Sequence, residues 1–357
     1  MKKILSVILI LSLLPLLCGG KRNEKVSFVA VGDDLIHSSV YKGAATGAGY
    51  DFSPVYAGVA DVIDGADISF VNQETMLGDG NYSGYPRFCS PKEVGAALVG
   101  AGFDVINIAN NHSLDLGEEG FLFTRDYLSA LAECVIGDKE VRVVERNGMK
   151  IAFLAFTYST NYGLSGVVSR IDEGAIRKAM TEATAKADAV VVSVHWGVEY
   201  DTPRYISRYE PTVAQIETAH LLASLGADVI VGTHPHVIER AEWIEENGHR
   251  TFCAYSLGNF VSNMRYGATQ LGGMLTCDLV KNADGVSVED PKIVPLVCHY
   301  DADHRGHTVY KLSEYTNALA SLHGTQNEPN ERAFTKEFLI EIYENNIDAS
   351  FRPENYK

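Results

Sequence analysis

A succession of short, β-rich runs, each closing on a polar residue and each followed by a helical pattern, constrains this chain more than any other feature. The run at 26–31 ends in Gly32-Asp33, that at 68–71 in Asn72-Gln73-Glu74, and that at 105–109 in Asn110-Asn111-His112. Further runs lie at 151–156, before Thr157-Tyr158, at 189–194, before His195, and at 229–231, before Gly232 and two histidines. A last run at 252–257 leads into Gly258-Asn259-Phe260. Amphipathic stretches at 91–101, 118–131, 173–187 and 211–225 have helical spacing, and Gly102 and Gly226 stand as stop signals after the first and last. Strands alternating with helices predict an α/β fold.

In such folds ligands bind where the strands end. The segment Gly232-Thr233-His234-Pro235-His236 is the sharpest case. An extended backbone sends alternate side chains to one side, so His234 and His236 are expected to face a common point. Neutral imidazoles converging at a strand end suit Zn, Fe or Mn. Asp33, Glu74, Asn111, His112 and His195 occupy other strand ends. Each alone has an ordinary structural reading: Asp33 as a turn residue, Asn111 as a helix cap, His195 as a hydrogen-bonded core histidine. Together they supply carboxylate, carboxamide and imidazole from separate strand ends, which favours a polynuclear metal site. Two divalent ions about 3.5–4 Å apart need a bridging anion to offset their repulsion, and a nearby unligated histidine can move protons.

Composition narrows the partners. An apolar fraction of 46% and a charged fraction of 21% are those of a folded globular chain. A formal charge of −16 disfavours a nucleic-acid partner, which selects a basic surface. It also disfavours a polyanionic substrate unless the site is locally positive, as a metal centre would make it. Residues 1–20 read as a secretory signal: Lys2 and Lys3, an apolar stretch from Ile4 to Leu17, then Cys18-Gly19-Gly20. Cys18 sits where a lipoprotein signal carries its lipid-accepting cysteine, although Leu17 replaces the small residue normal before it; lipidation and simple cleavage both stay open. Export to the outer face of the cell membrane is expected. The other five cysteines are scattered without metal or redox spacing and are expected to be buried, small apolar residues. One domain over 26–300 is expected, with 78–90 as a surface loop and 308–357 as a helical C-terminal appendage.

Gly32-Asp33, Ala109-Asn110-Asn111-His112 and Gly232-x-His234-x-His236 resemble landmarks of the calcineurin-like metallophosphoesterases. Three further stretches narrow the likeness: His195-Trp196-Gly197-Val198-Glu199-Tyr200, Gly226-Ala227-Asp228, and Tyr255-Ser256-Leu257-Gly258-Asn259-Phe260. With these, residues 26 to 300 resemble the poly-γ-glutamate capsule-biosynthesis family, the CapA-like proteins. The resemblance implies a four-layer α-β-β-α sandwich of the metallophosphoesterase type with two divalent metal ions, whether Mn, Fe or Zn. It implies Asp33, Glu74, Asn111, His195, His234 and His236 as metal ligands and His112 as the catalytic, unligated histidine. Glu199, Tyr200 and Asn259 fall in family motifs near the pocket. Two departures stand out. Leu35 occupies the histidine position of the usual Asp-x-His, with His37 two residues on as a candidate replacement for metal or substrate contact, and Asn72-Gln73-Glu74 replaces Gly-Asp-x-x-Asp.

The expected function is that of an exported, metal-dependent hydrolase-like protein in the synthesis, release or export of an acidic polymer, poly-γ-glutamate, working with a membrane synthetase complex. The sequence carries no phosphate-binding Gly-x-x-x-x-Gly-Lys-[Ser/Thr] loop, which disfavours an ATP-driven polymerase. A non-catalytic polymer-binding subunit of the envelope and a metallophosphatase on an unrelated phosphoester are the alternatives.

Overall fold

The structure, a computed structural model, describes residues 24–199, 209–328 and 332–357. The leader with Cys18, and Tyr200, lie outside the described residues. Two sheets form the centre. One has eight strands, in the order Thr308–Lys311, Gly285–His299, Leu271–Asn282, Glu24–Asp34, Ile68–Gln73, Val105–Asn107 and Cys134–Ile136, with Asn259–Val261 pairing the end of Glu24–Asp34. The other has six: Ala241–Glu246, His249–Ala254, Val229–Thr233, Ala189–His195, Met149–Thr157 and Arg142–Arg146.

The sheets pack face to face for a reason visible in the strand Met149–Thr157. Side chains alternate across a strand. Ile151, Phe153 and Ala155 join the large core between the sheets, where the Phe28 and Phe153 ring centroids lie 6.3 Å apart. Ala152, Leu154 and Phe156 point the other way into a second apolar layer. Ile176 and Met180 of the helix Glu173–Lys186, and Ala219 and Leu222 of Val213–Ser224, complete that layer. A strand buried on both faces reads as an unbroken apolar run. Asp172 caps the first of these helices, and Thr212 with Gln215 forms a capping box on the second. On the opposite side, Val94 and Leu98 of Glu93–Gly100 and Phe121 and Leu128 of Gly117–Ser129 pack against the larger sheet's core. The result is the expected order of layers: helices, sheet, sheet, helices. The five cysteines of the described region are buried and unpaired, as expected.

Two boundaries differ from expectation. The region after residue 300 is no appendage: Thr308–Lys311 extends the larger sheet, pairing with residues 296–299. The helix Lys336–Asn346 buries Phe338, Leu339, Ile342 and Tyr343 in the main core, and the Tyr343 hydroxyl donates to the Ile293 carbonyl. Phe351 then packs edge-on against Phe252 of the smaller sheet, their centroids 5.2 Å apart. The tail closes one side of the sandwich by touching both sheets. The 78–90 loop is likewise only partly at the surface, since Phe88, Cys89 and Ser90 are buried.

Candidate metal centre

Strand register delivers the functional residues to one level. Asp33 lies beside Asn72, and Asn72 beside Asn107, in the larger sheet. In the smaller sheet Thr157, His195 and Thr233 are neighbours in the same way. The two rows of carboxyl ends therefore meet across the sandwich. Two glycines of the sequence motifs permit this approach. A Cβ on Gly32 would stand 1.9 Å from the Gly258 carbonyl oxygen, and one on Gly232 would stand 2.0 Å from that of Tyr255. No side chain fits at either place.

Six of the expected ligands come together, all buried: Asp33, Glu74, Asn111, His195, His234 and His236. His195 Nε2 lies 3.0 Å from Asn111 Oδ1, 3.1 Å from His234 Nδ1 and 3.7 Å from Glu74 Oε1. His236 Nε2 lies 3.8 Å from Glu74 Oε1, and His236 Nδ1 3.3 Å from Asp33 Oδ2. Ligand atoms of Glu74, His234 and His236 all fall within 4.8 Å of one another. Glu199, less buried, brings a carboxylate oxygen to 3.8 Å from His236 Nε2 and 4.0 Å from His234 Nδ1.

The histidine pair converges by a different route from the one expected. The strand stops at Thr233, and both His234 (φ 102°) and His236 (φ 58°) adopt left-handed backbone. That region disfavours non-glycine residues and persists where surrounding contacts impose it. Here the His234 amide donates to Asp33 Oδ2 at 3.1 Å, so the turn that aims the imidazoles is itself fastened to the opposite sheet.

His112, next to Asn111 in the chain, is buried. Its Nδ1 meets Asp115 Oδ2 at 2.8 Å, and the Phe88 ring packs edge-on at 4.7 Å. Asn259 accepts at Oδ1 from His236 Nδ1, at 2.9 Å, and donates to the Thr269 carbonyl, which turns His236 Nε2 toward Glu74. Asn259 is thus a positioning residue. His37 does not take the place that Leu35 leaves without a nitrogen. Its Nδ1 lies 3.2 Å from both the Leu35 carbonyl oxygen and the Asn263 amide nitrogen, and its ring meets Phe88 edge-on at 5.4 Å. Leu35 itself is buried.

The electrostatics are those of a site built for a cation. Burial, followed by the charge of Asp33, raises the Glu74 carboxyl well above its usual range, and neither of its oxygens has a hydrogen-bond partner. Burial pushes His195 well below its ordinary value and His234 down to about 4, so both rings are neutral and able to ligate. Burial also opposes charge on His236, but Glu74, Asp33 and Glu199 outweigh it and raise that imidazole well above its normal value. The nearby His236 imidazole in turn lowers Glu199 to about 2.

A buried carboxylate without a donor is costly, about 1–3 kcal/mol or more for a charged group. The donor chemistry fits a divalent ion. Two nitrogens bound to one ion at about 2.0–2.1 Å sit about 3–3.4 Å apart, and His195 Nε2 and His234 Nδ1 are 3.1 Å apart. Glu74 Oε1 lies within 3.8 Å of both His195 Nε2 and His236 Nε2 and would be available to an ion on either side. The side that would use Asp33, Glu74 and His236 lacks the nitrogen that Leu35 displaces.

A family model described as bacterial capsule synthesis protein matches residues 27–264, a span that includes every one of these ligands. The chain belongs to this family. The PGA biosynthesis protein CapA of Bacillus subtilis (strain 168) is 33% identical over 207 residues, which cover 54% of this chain and 52% of that protein. The capsule biosynthesis protein CapA of Bacillus anthracis is 30% identical over 303 residues, covering 77% of this chain and 68% of that one. This capsule-family chain thus spans about half the length of the first relative. A 5'-nucleotidase from Candida albicans SC5314 aligns with a TM-score of 0.41 at 10% identity, over 73% of this chain and 53% of that one, too distant a likeness to bear on fold or function.

Sequence reasoning missed several residues that this capsule-family site uses. Asn72 donates to Asp33 Oδ1 at 2.7 Å and accepts from Asn107, a chain of amides that fixes the carboxylate. Thr233 holds His195 Nδ1 at 2.9 Å, and the Tyr158 ring lies 4.5 Å from that of His234. Asn72, Asn107, Thr233 and Tyr158 all sit at or just beyond strand ends, which was the one signal available.

Proposed function

We propose that this protein is an exported metal-dependent hydrolase that cleaves or releases a bond of an acidic capsule polymer, of the poly-γ-glutamate kind, at the outer face of the cell membrane beside a membrane synthetase. The observation that carries the reading is Glu74, a buried carboxylate with both oxygens unpartnered, facing the imidazoles of His195 and His236. Asp33, Glu74, Asn111, His195, His234 and His236 would hold two divalent ions, with the half served by His195, His234 and Asn111 the better supplied. Bound divalent ions polarise a carbonyl or phosphoryl oxygen and lower the pKa of a coordinated water toward 7.

The remaining work falls to the chain's own groups. Asp115 accepts from His112 Nδ1 and fixes the ring, leaving Nε2 to pass a proton to the departing atom. Asn259 and Thr233 keep His236 and His195 in the ligating tautomers, with Nε2 toward the cluster. Burial of the whole group excludes bulk water and strengthens each electrostatic contact. Buried Leu35, in place of a ligand, favours a second reading in which the site binds polymer without cleaving it.

Hydrolysis of γ-linked glutamate oligomers and of a phosphoester panel by the metal-loaded chain separates the two. His112→Ala should lower kcat by about 100-fold or more with metal content unchanged. Equal rates for His112→Ala and the unaltered chain, or turnover of no member of either panel, would remove the hydrolase reading.

A further inference from the structure

A chain of charge −16, with Asp33, Glu74 and Glu199 around its centre, needs positive charge at the rim to receive an acidic polymer. Among the described residues the arginines are paired with carboxylates, with three exceptions. Arg352 is spent on the carbonyls of Ile347 and Glu344. The other two, Arg87 and Arg170, contact loops that reach the site.

Arg87 is exposed, on the loop that ends at Phe88, whose ring lies against His112. Its guanidinium carbon sits 3.9 Å from the centroid of the Tyr162 ring, and the Tyr162 hydroxyl donates to the Pro86 carbonyl at 3.4 Å. The guanidinium is thus held in place by stacking while its N–H donors remain available. The Tyr162 loop is anchored to the centre at two points. The Asn161 amide donates to the Asn111 carbonyl at 2.8 Å, and the Tyr158 amide to that of His195 at 2.9 Å. Arg170 donates to the Tyr158 carbonyl at 3.2 Å, and its buried Nε has no partner. Tyr85 and Leu164, 78% and 80% exposed, flank these loops with apolar surface.

We propose that Arg87, seconded by Arg170, reads a free carboxylate of the substrate next to the bond held at the metal centre. A γ-linked glutamate chain has this alternation: a carboxylate on each unit and methylenes in the backbone, which suit a guanidinium stacked on the Tyr162 ring. The proposal rests on the reading of the centre as the place where an acidic polymer is bound. A guanidinium fork accepts phosphate as readily as carboxylate, so the test must tell them apart.

Calorimetric titration of the metal-loaded full chain with a γ-glutamate oligomer, its γ-linked oligoglutamine analogue in which each α-carboxylate is an amide (isoglutamine units), and inorganic phosphate does so. Arg87→Ala should weaken oligoglutamate binding about 10-fold and flatten its dependence on salt, with metal content unchanged. Arg87→Lys should recover part of the loss, and Arg170→Ala should cost less than Arg87→Ala. The oligoglutamine should bind the unaltered chain about 10-fold more weakly and be indifferent to Arg87→Ala. Unchanged oligoglutamate affinity in Arg87→Ala, equal affinity for oligoglutamine, or an effect confined to phosphate would each overturn the proposal. Oligoglutamate binding that depends on Arg87 without any hydrolysis would remove the hydrolase reading and leave this one standing.

Discussion

The two edges of the centre differ in chemistry and in completeness. The smaller sheet supplies nitrogen, through His195, His234 and His236; the larger supplies oxygen, through Asp33, Glu74 and Asn111. Neither sheet carries a full ligand set, so the site exists only once the sandwich has closed. The nitrogen edge brings all three of its expected imidazoles together. The oxygen edge has Leu35 where the resemblance leads one to expect a histidine, with His37 Nδ1 held between the Leu35 carbonyl and the Asn263 amide. Under the proposed two-ion reading, one half of the centre would be well supplied and the other short of a donor.

Three variants probe that contrast, from the largest effect to the smallest. Replacing His234 and His236 together by Ala strips the nitrogen edge. Metal analysis of the purified chain should show a loss well beyond the roughly 10–100-fold typical of residues that only support a ligand. Glu74→Gln removes the bridge between the halves. Burial and Asp33 already resist charge on Glu74, so the metal-stripped variant should melt at or above the temperature of the unaltered stripped chain. The rise in melting temperature on adding metal should shrink, because less binding energy is linked to folding. Asn259→Ala leaves every ligand in place but frees His236 Nδ1, and should weaken metal by about 10–100-fold in a titration against a competing chelator. An Asn259→Ala affinity equal to that of the double histidine variant would show that the two edges are not distinct.

Much of this contrast was legible in the residues. The parallel strands announced themselves because burial on both faces leaves an apolar run, and the ligands stood out because each follows such a run directly. The antiparallel pair Leu271–Asn282 and Gly285–His299 was not seen. It holds Pro291 and Pro295, residues that argue against a strand. The structure accommodates Pro291 at an irregularity where Asp290 has φ 44° and the register shifts opposite, between Thr276 and Asp278. The tail after residue 300 read as separate because its apolar positions show no partner until both sheets are in place. Within the site, Asn72, Asp115 and Thr233 escaped notice because each acts through another residue. Asn72 and Thr233 do so across sequence separations of 39 and 38, which no local pattern encodes.

The central claim is that the strand ends form a metal centre with one strong and one weak half. Titration of the chelator-stripped chain with Mn or Zn, alongside the Leu35→His variant, addresses it directly. The account predicts one tight equivalent and one weaker equivalent for the unaltered chain, with the second tightened in Leu35→His, where an imidazole restores a nitrogen to the oxygen edge. No binding to the unaltered chain, or two equal equivalents that Leu35→His leaves unchanged, would contradict it.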